Sequence, residues 1–415
     1  MPRLPLVRWA ALFWGLAALF PIGLNYTAFV ALAAAMALQG GWRERLDRLR
    51  GQPNWWPAWL FLGWVLLVLL FGAHYSETAS NAFHVLRIVL TLALALALSR
   101  QEALWALRGF WLGILLALAL TAAQLAVGLP DSVLWNGIVH YGGNKSLSNA
   151  ALIALAASSC LLLLALPGRR QRAWALAVLA LAALAVLLVV LQSRTAWLAV
   201  IVSLLAGLLH QWRGQRRRQV LAIALAVALA LGGALLAPGV HQRLTLGAHE
   251  VASAYAGEPV NETSSWGMRF RMYTETLAMM RERPLAGWGI GGWNAQWRAR
   301  VEPELAFANM PHNDLLWMGA QAGVPGALLL LWLIVAGLPR AWRQTGVSGR
   351  LGVVALLTML VTVAVNSALR DAAIGLSLWF VALVFQRLST EPESVWLQAP
   401  LWPWARAPAE RVADS

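Results

Sequence analysis

Long apolar segments separated by short polar loops run from the start of the chain to about residue 388. The segments are rich in Leu, Ala and Val, and many extend for about 18–20 residues, the length at which a helix crosses a bilayer. They lack the alternation of apolar and polar residues that membrane β-strands require. The pattern predicts an all-α polytopic membrane protein and excludes a soluble globular enzyme.

Twelve segments qualify as predicted spans. They cover residues 6–22, 24–40, 55–73, 81–99, 103–129, 147–166, 173–192, 195–212, 220–237, 315–337, 351–368 and 372–388. The prediction divides the chain into nine transmembrane helices within 1–237, a long loop over 238–314, three further helices within 315–388, and a tail over 389–415.

Composition and charge agree with this class and suggest an orientation. Hydrophobic residues make up 60% of the chain and charged residues 12%, against about 25% charged residues in a soluble domain. The net charge is +14, which raises the possibility of nucleic-acid binding. However, most arginines lie in the loops on one side of the predicted spans, as the positive-inside rule describes. We therefore expect both termini in the cytoplasm and no nucleic-acid partner.

The loop over 238–314 is much longer than the other loops on the outer, arginine-poor side. Such loops are usually functional or disordered, and the many aromatic residues here favour a folded segment. Helical spacing predicts an amphipathic helix from about Ser265 to Arg283, with Leu277 on its apolar face. A proline and a glycine-rich turn follow, and residues 248–261 are predicted to be loop.

Several outer-side residues are candidates for chemistry. His312 lies at the mouth of the tenth span, where a neutral imidazole with an ordinary pKa of ~6.5 can accept a proton, although an interfacial role is an alternative. Arg194, between the seventh and eighth spans, is either a lipid-phosphate anchor or a ligand for an anionic substrate. Arg87 lies inside the fourth span at a cost of roughly 2.5–3.5 kcal/mol; it either has a function or pairs with Glu77 or an interhelical carbonyl group.

Lys145, the only lysine, precedes the sixth span and is either a surface residue or another anion ligand. Neither a DxD nor an HExxH motif occurs, so we expect no metal ion and no cofactor. A base and several arginines suit a reaction in which a diphosphate departs, because the guanidinium fork matches phosphate oxygens. Transfer of a sugar from a polyprenyl diphosphate to a hydroxyl group is such a reaction.

Three motifs resemble those of the O-antigen ligase family, whose relatives are the O-antigen polymerases and O-linked oligosaccharyltransferases. Arg269 precedes Tyr273 and the sequence Pro-Leu-Ala-Gly-Trp-Gly at 284–289. His312-Asn313 precedes Gly-Val-Pro-Gly at 323–326, and Arg194 begins an Arg-x-x-x-Leu motif. The resemblance extends over residues 190–330.

The resemblance implies a GT-C-like, metal-independent, inverting glycosyltransferase of the bacterial inner membrane, with its active site facing the periplasm. The implied donor is O-antigen linked to undecaprenyl diphosphate, and the implied acceptor is lipid A–core, both among membrane lipids. His312 corresponds to the base, and Arg194 and Arg269 to the diphosphate ligands; we add Arg87 and Lys145 from their burial and position. The implied supporting residues are Asn313, Asp314, Tyr273, Gly287 and Gly289.

Two other classes of function remain open. An O-antigen polymerase or an O-linked oligosaccharyltransferase differs from a ligase in its acceptor; the single long outer loop favours a ligase, and the short tail argues against a protein oligosaccharyltransferase. A membrane transporter is the more distant alternative. Transporters often contain internal repeats and sites near the membrane midplane, whereas the polar residues here gather at one side.

Overall fold

The computed structural model describes residues 5–140, 142–165, 170–236, 245 and 265–392. The regular structure of these residues is helical. The helices are α1 (Leu6–Ala17), α2 (Ile22–Gln39), α3 (Trp42–Arg50), α4 (Trp55–Phe71), α5 (Thr78–Leu96), α6 (Arg100–Val127), α7 (Asn136–Val139), α8 (Gly143–Leu164), α9 (Arg170–Ala185), α10 (Arg194–Gln211), α11 (Arg216–Leu236), α12 (Ser265–Glu282), α13 (Gly292–Arg300), α14 (Asp314–Val335), α15 (Leu338–Arg343), α16 (Val347–Val365), α17 (Ala372–Gly375) and α18 (Leu378–Leu388). The predicted loop at 248–261 and most of the predicted tail, 389–415, lie outside the described residues.

Each predicted span falls on one or two of these helices. In the described part of the chain, eight helices are long and apolar enough to cross a membrane, or nine if α3 and α4, which meet at 91°, form one broken span. Two other apolar segments, Leu6–Ala17 and Ala372–Leu388, are shorter. The polytopic all-α class is therefore confirmed, whereas the number of twelve spans stays a prediction.

The arginine-rich loops meet at one end of the bundle, which we call the arginine-rich end. Arg45 pairs with Glu102 at 2.8 Å, and Arg340 donates to the carbonyl oxygen of Gly51 at 2.9 Å. Arg48 and Arg387 also donate to backbone carbonyl oxygens, those of Ala97 and Leu98, and the guanidinium of Arg213 lies over the ring of Trp342. The arginines that the sequence assigns to one side thus come together in space.

The second half of the predicted long loop is folded and packs on the bundle. α12 ends at Glu282, as predicted, but its buried face carries Met272, Thr276 and Met279. The placement of Leu277 on that face is wrong, because its side chain is 41% exposed. The helix turns the Thr276 side inward, where the indole of Trp293 donates to the threonine hydroxyl at 2.8 Å.

The glycine-rich turn after α12 docks into a kink of α14. The backbone of α14 leaves helical geometry at Ala322 and Gly323, which exposes carbonyl oxygens in the middle of the helix. The N–H groups of Trp288 and Gly289 take up two of them, donating to residues 320 and 321 at 2.8 and 3.0 Å. Gly287 and Gly323 have positive φ, and a Cβ on either would overlap backbone atoms of the other segment. Only glycine allows this close approach.

Gly287→Ala is expected to destabilise the protein by about 1–3 kcal/mol, because the methyl group meets backbone and φ is +66°. Thermal unfolding of the purified protein in detergent measures this effect. Gly346→Ala is the matched control, since a Cβ there enters open space. Equal unfolding temperatures for Gly287→Ala and the wild type would contradict this account of the turn.

Candidate active site

His312 lies just before the first turn of α14, at the end of the bundle opposite the arginine-rich end, which we call the site end. Its φ of +53° is one of two positive φ values among the described non-glycine residues. The other belongs to Gln192, two residues before Arg194. Strained backbone of this kind clusters at functional sites. The hydroxyl of Tyr273 donates to the carbonyl oxygen of His312 at 3.2 Å and ties α12 to this strained residue.

The two residues that follow His312 fix the surrounding loops. Asn313 caps α14 by accepting from two N–H groups of its first turn, and its amide donates to the carbonyl oxygen of Ala364 at 2.8 Å. The carboxylate of Asp314 is fully buried and accepts from the N–H groups of Leu369 and Arg370 at 2.7 and 3.0 Å. This arrangement joins the start of α14 to the loop between α16 and α17.

A short chain of hydrogen bonds brings the two predicted diphosphate-binding arginines to the site end. The guanidinium of Arg269 lies 3.4 Å from the side-chain oxygen of Asn366, and the amide nitrogen of Asn366 donates to the hydroxyl of Thr195 at 3.3 Å. Thr195 directly follows Arg194 at the start of α10, where the hydroxyl of Ser193 caps the helix. The chain of hydrogen bonds therefore joins α12, which carries Arg269, to the end of α16 and to the start of α10, which carries Arg194.

The electrostatic environment keeps His312 neutral. Burial, followed by the positive charges of Arg269 and Arg370, lowers the pKa of His312 to about 4. The imidazole is therefore unprotonated at neutral pH and able to accept a proton. Burial raises the pKa of Tyr273, against the opposing effect of Arg269, so its phenol remains protonated and donates to the histidine backbone.

Arg370 is a site residue that the sequence reasoning missed. Burial is the main cause that lowers its pKa, opposed by Asp371 and Asp314, and a guanidinium stays charged in any case. One terminal nitrogen lies 3.4 Å from the side-chain oxygen of Asn309, while the buried Nε has no hydrogen-bond partner among the described residues. The signal that could have identified it is its position, since Arg370 is an arginine on the arginine-poor side of the predicted spans.

Arg87 is buried inside α5, as predicted, and the structure shows which partners satisfy its charge. Its side chain is 2% exposed and donates to the carbonyl oxygens of Leu369 and Arg370 at 2.8 and 2.7 Å, and to Nδ1 of His84 at 3.1 Å. This matches the alternative of an interhelical carbonyl partner; Glu77 pairs with an arginine of α13 instead. Because two of its hydrogen bonds end on backbone carbonyl groups of the loop that carries Arg370, we assign Arg87 to positioning that loop. Its role in binding diphosphate stays a prediction.

Lys145 differs from its prediction as an outer-loop residue. It belongs to the first turn of α8, and its amine donates to the carbonyl oxygen of Ala18 at 2.6 Å and to the hydroxyl of Ser377 at 3.1 Å. The lysine thus joins α8 to the α1–α2 junction and to α18. The prediction of a loop residue is therefore wrong, whereas a role of Lys145 in binding diphosphate stays a prediction.

No group of three or more His, Cys, Asp or Glu side chains within the described ranges is arranged to hold a metal ion. The independence of the reaction from metal stays a prediction. The chemistry that the arrangement offers is one neutral imidazole beside guanidinium groups, at the end of a helical bundle. This combination suits proton transfer next to an anionic ligand.

The fold and the site define a class: a multi-pass helical membrane protein with a partly buried histidine and several arginines at one end. Residues 179–331, a little over a third of the chain, match the family model described as O-antigen ligase. The match confirms the predicted relationship to the O-antigen ligase family. It includes Arg194, Arg269 and His312 but ends before Arg370. No curated protein matches the chain.

The match to this family model supports O-antigen ligase-like or polymerase-like function in general, with glycosyltransferase-type activity and polysaccharide or lipid-linked substrates.

Proposed function

We propose that the protein is an O-antigen ligase. It transfers a polysaccharide from undecaprenyl diphosphate to a sugar hydroxyl group of lipid A–core, with inversion and without a metal ion. The observation that carries this proposal is the neutral His312 flanked by Arg269 and Arg370. Burial, aided by these two arginines, lowers the pKa of His312 and keeps the imidazole unprotonated, and the same arginines suit a reaction whose other partner is a polyanion.

In the proposed mechanism, the acceptor hydroxyl attacks the anomeric carbon of the donor while the imidazole of His312 takes its proton. The bond between the anomeric carbon and the phosphate oxygen breaks, and undecaprenyl diphosphate leaves with the bonding electron pair. Arg194, Arg269 and Arg370 stabilise the negative charge that develops on the leaving group. Preorganised charges of this kind are usually the largest contribution to catalysis.

The proposed orientation places the site in the periplasm of a bacterium. The arginine-rich end has the composition of a cytoplasmic face under the positive-inside rule. The site end then lies at the outer surface of the inner membrane, and both termini lie in the cytoplasm. Donor and acceptor, both lipid-linked, would reach the site end within the same leaflet.

The rate of transfer is expected to be nearly constant from about pH 8 to pH 5 and to fall only as the pH approaches 4. The reason is that the pKa of His312 is lowered to about 4, so the active, neutral imidazole persists well below the ordinary histidine pKa of ~6.5. A pH–rate profile at saturating donor measures this. A half-maximal rate near pH 6.5 would contradict the shifted pKa.

Reconstitution of the purified protein with a polyprenyl diphosphate-linked glycan and lipid A–core tests the proposed function, with product detected by gel shift. We expect glycan-modified lipid A–core, and an equal yield in the presence of EDTA. Elongated polyprenyl-linked glycan without modified lipid A–core would identify a polymerase instead. A strict requirement for divalent metal would overturn the metal-independent mechanism.

A further inference from the structure

A groove lies between the second half of α4 and the docked turn that follows α12. Its volume is about 390 Å³. The α4 wall includes Trp64, Leu67 and Phe71, and the opposite wall includes Arg283 and Trp288. The indole nitrogen of Trp64 donates to the carbonyl oxygen of Ala322 at 2.8 Å, so the base of the groove is joined to the kink of α14.

This groove is distinct from the site around His312. Arg269 lies near the start of α12, whereas Arg283 lies one residue beyond its end. Fourteen residues of helix separate them, which corresponds to roughly 21 Å along the axis. A single phosphate or diphosphate group therefore does not contact both arginines.

The α4 wall faces the membrane. Leu67 is 49% exposed and Phe71 is 83% exposed, in a helix whose sequence is almost entirely apolar. Such side chains on a transmembrane helix contact acyl chains. Phe71 is the last residue of α4, so the upper part of the groove lies at the level where lipid headgroups begin.

The other wall supplies a positive charge. The guanidinium of Arg283 lies 4.0 Å above the ring of Trp288, and both side chains line the groove. The neighbouring Arg300 is already paired with Glu282 through two contacts of 2.7 Å. Among the residues that the structure describes, no carboxylate lies within ion-pair distance of Arg283. An apolar wall thus stands opposite an arginine whose nearest acid, Glu282, forms its ion pair with Arg300 instead.

We infer that this groove binds an anionic phospholipid of the surrounding bilayer. One acyl chain lies along the α4 wall, and the phosphate accepts hydrogen bonds from Arg283. The lipid connects α4 to the turn that docks into α14, and it therefore stabilises the segment that carries His312 at its start. This inference does not depend on the proposed function.

Native mass spectrometry of the full-length protein, delipidated in detergent and titrated with phosphatidylglycerol or phosphatidylcholine, tests the inference. We expect tighter binding of phosphatidylglycerol, and about fivefold weaker binding of it by Arg283→Gln, the effect of losing one arginine near a phosphate. Phe71→Ala, at an exposed position that tolerates truncation, is expected to weaken binding of both lipids.

Two variants serve as matched controls. Arg281→Gln removes an exposed charge two residues away on α12, and Leu70→Ala truncates an exposed side chain next to Phe71 that does not line the groove. Both are expected to bind phosphatidylglycerol as the wild type does. Equal affinity of the wild type for the two lipids would overturn the inference. Equal losses in Arg281→Gln and Arg283→Gln would also overturn it, because they would indicate diffuse attraction to a basic surface.

Discussion

His312→Ala is expected to lower the rate of glycan transfer by about 10²–10⁴-fold, the usual contribution of a positioned general base. Burial and the nearby arginines lower the pKa of this side chain and keep it neutral, and its removal leaves no group to take the proton from the attacking hydroxyl. The measurement is the initial rate of lipid A–core modification in proteoliposomes. Amounts of inserted protein are matched by quantifying each variant in the membrane fraction.

His74→Ala is the control for this substitution. His74 lies in the loop between α4 and α5, at the same end of the bundle, and its side chain is exposed, whereas that of His312 is not. We expect wild-type activity from it. If His312→Ala retained wild-type activity in the same assay, the assignment of the base would be wrong.

Arg194→Lys and Arg269→Lys are each expected to lower the rate by about 10²–10³-fold, comparable to the loss of one preorganised charge-stabilising donor. Lysine retains the positive charge but loses the planar fork that binds two phosphate oxygens at once. At position 269, lysine also lacks the guanidinium nitrogen that donates to Asn366. The substitution therefore breaks the hydrogen-bond chain that links α12 to α10. Single-turnover rates with saturating donor separate this effect from weaker binding.

Arg298→Lys is the matched control for the arginine series, because Arg298 is an exposed arginine that pairs with Glu77 away from His312. It is expected to be as active as the wild type. Full activity of both Arg194→Lys and Arg269→Lys would contradict the prediction, because it would show that bidentate contact of these arginines with the diphosphate is not needed.

The helices and the principal site residues were predictable from the sequence because each depends on local pattern. The length and composition of the apolar runs indicate helices in a bilayer irrespective of how they pack. The order of the motifs at Arg194, Arg269 and His312 placed all three on the outer side. The structure links the helix that carries Arg269 to His312 through Tyr273, whose hydroxyl donates to the histidine carbonyl oxygen.

The remaining features depend on contacts between distant segments. The position of Arg370 is set by Asp314, 56 residues earlier, which accepts its backbone N–H. Lys145 looked like a loop residue because the start of α8 was expected a few residues later, and its partners, Ala18 and Ser377, come from opposite ends of the chain. Hydropathy shows that a charged residue such as Arg87 lies inside a span. It does not show which carbonyl groups accept the hydrogen bonds of that residue.

The most direct test of the central claim compares how His312→Ala and Arg269→Gln bind undecaprenyl diphosphate, the proposed leaving product. The claim is that the histidine moves a proton, whereas the arginine holds the diphosphate. Isothermal titration in detergent should therefore give His312→Ala the affinity of the wild type and Arg269→Gln a clearly weaker affinity. Loss of binding in His312→Ala with unchanged binding in Arg269→Gln would contradict the assigned roles.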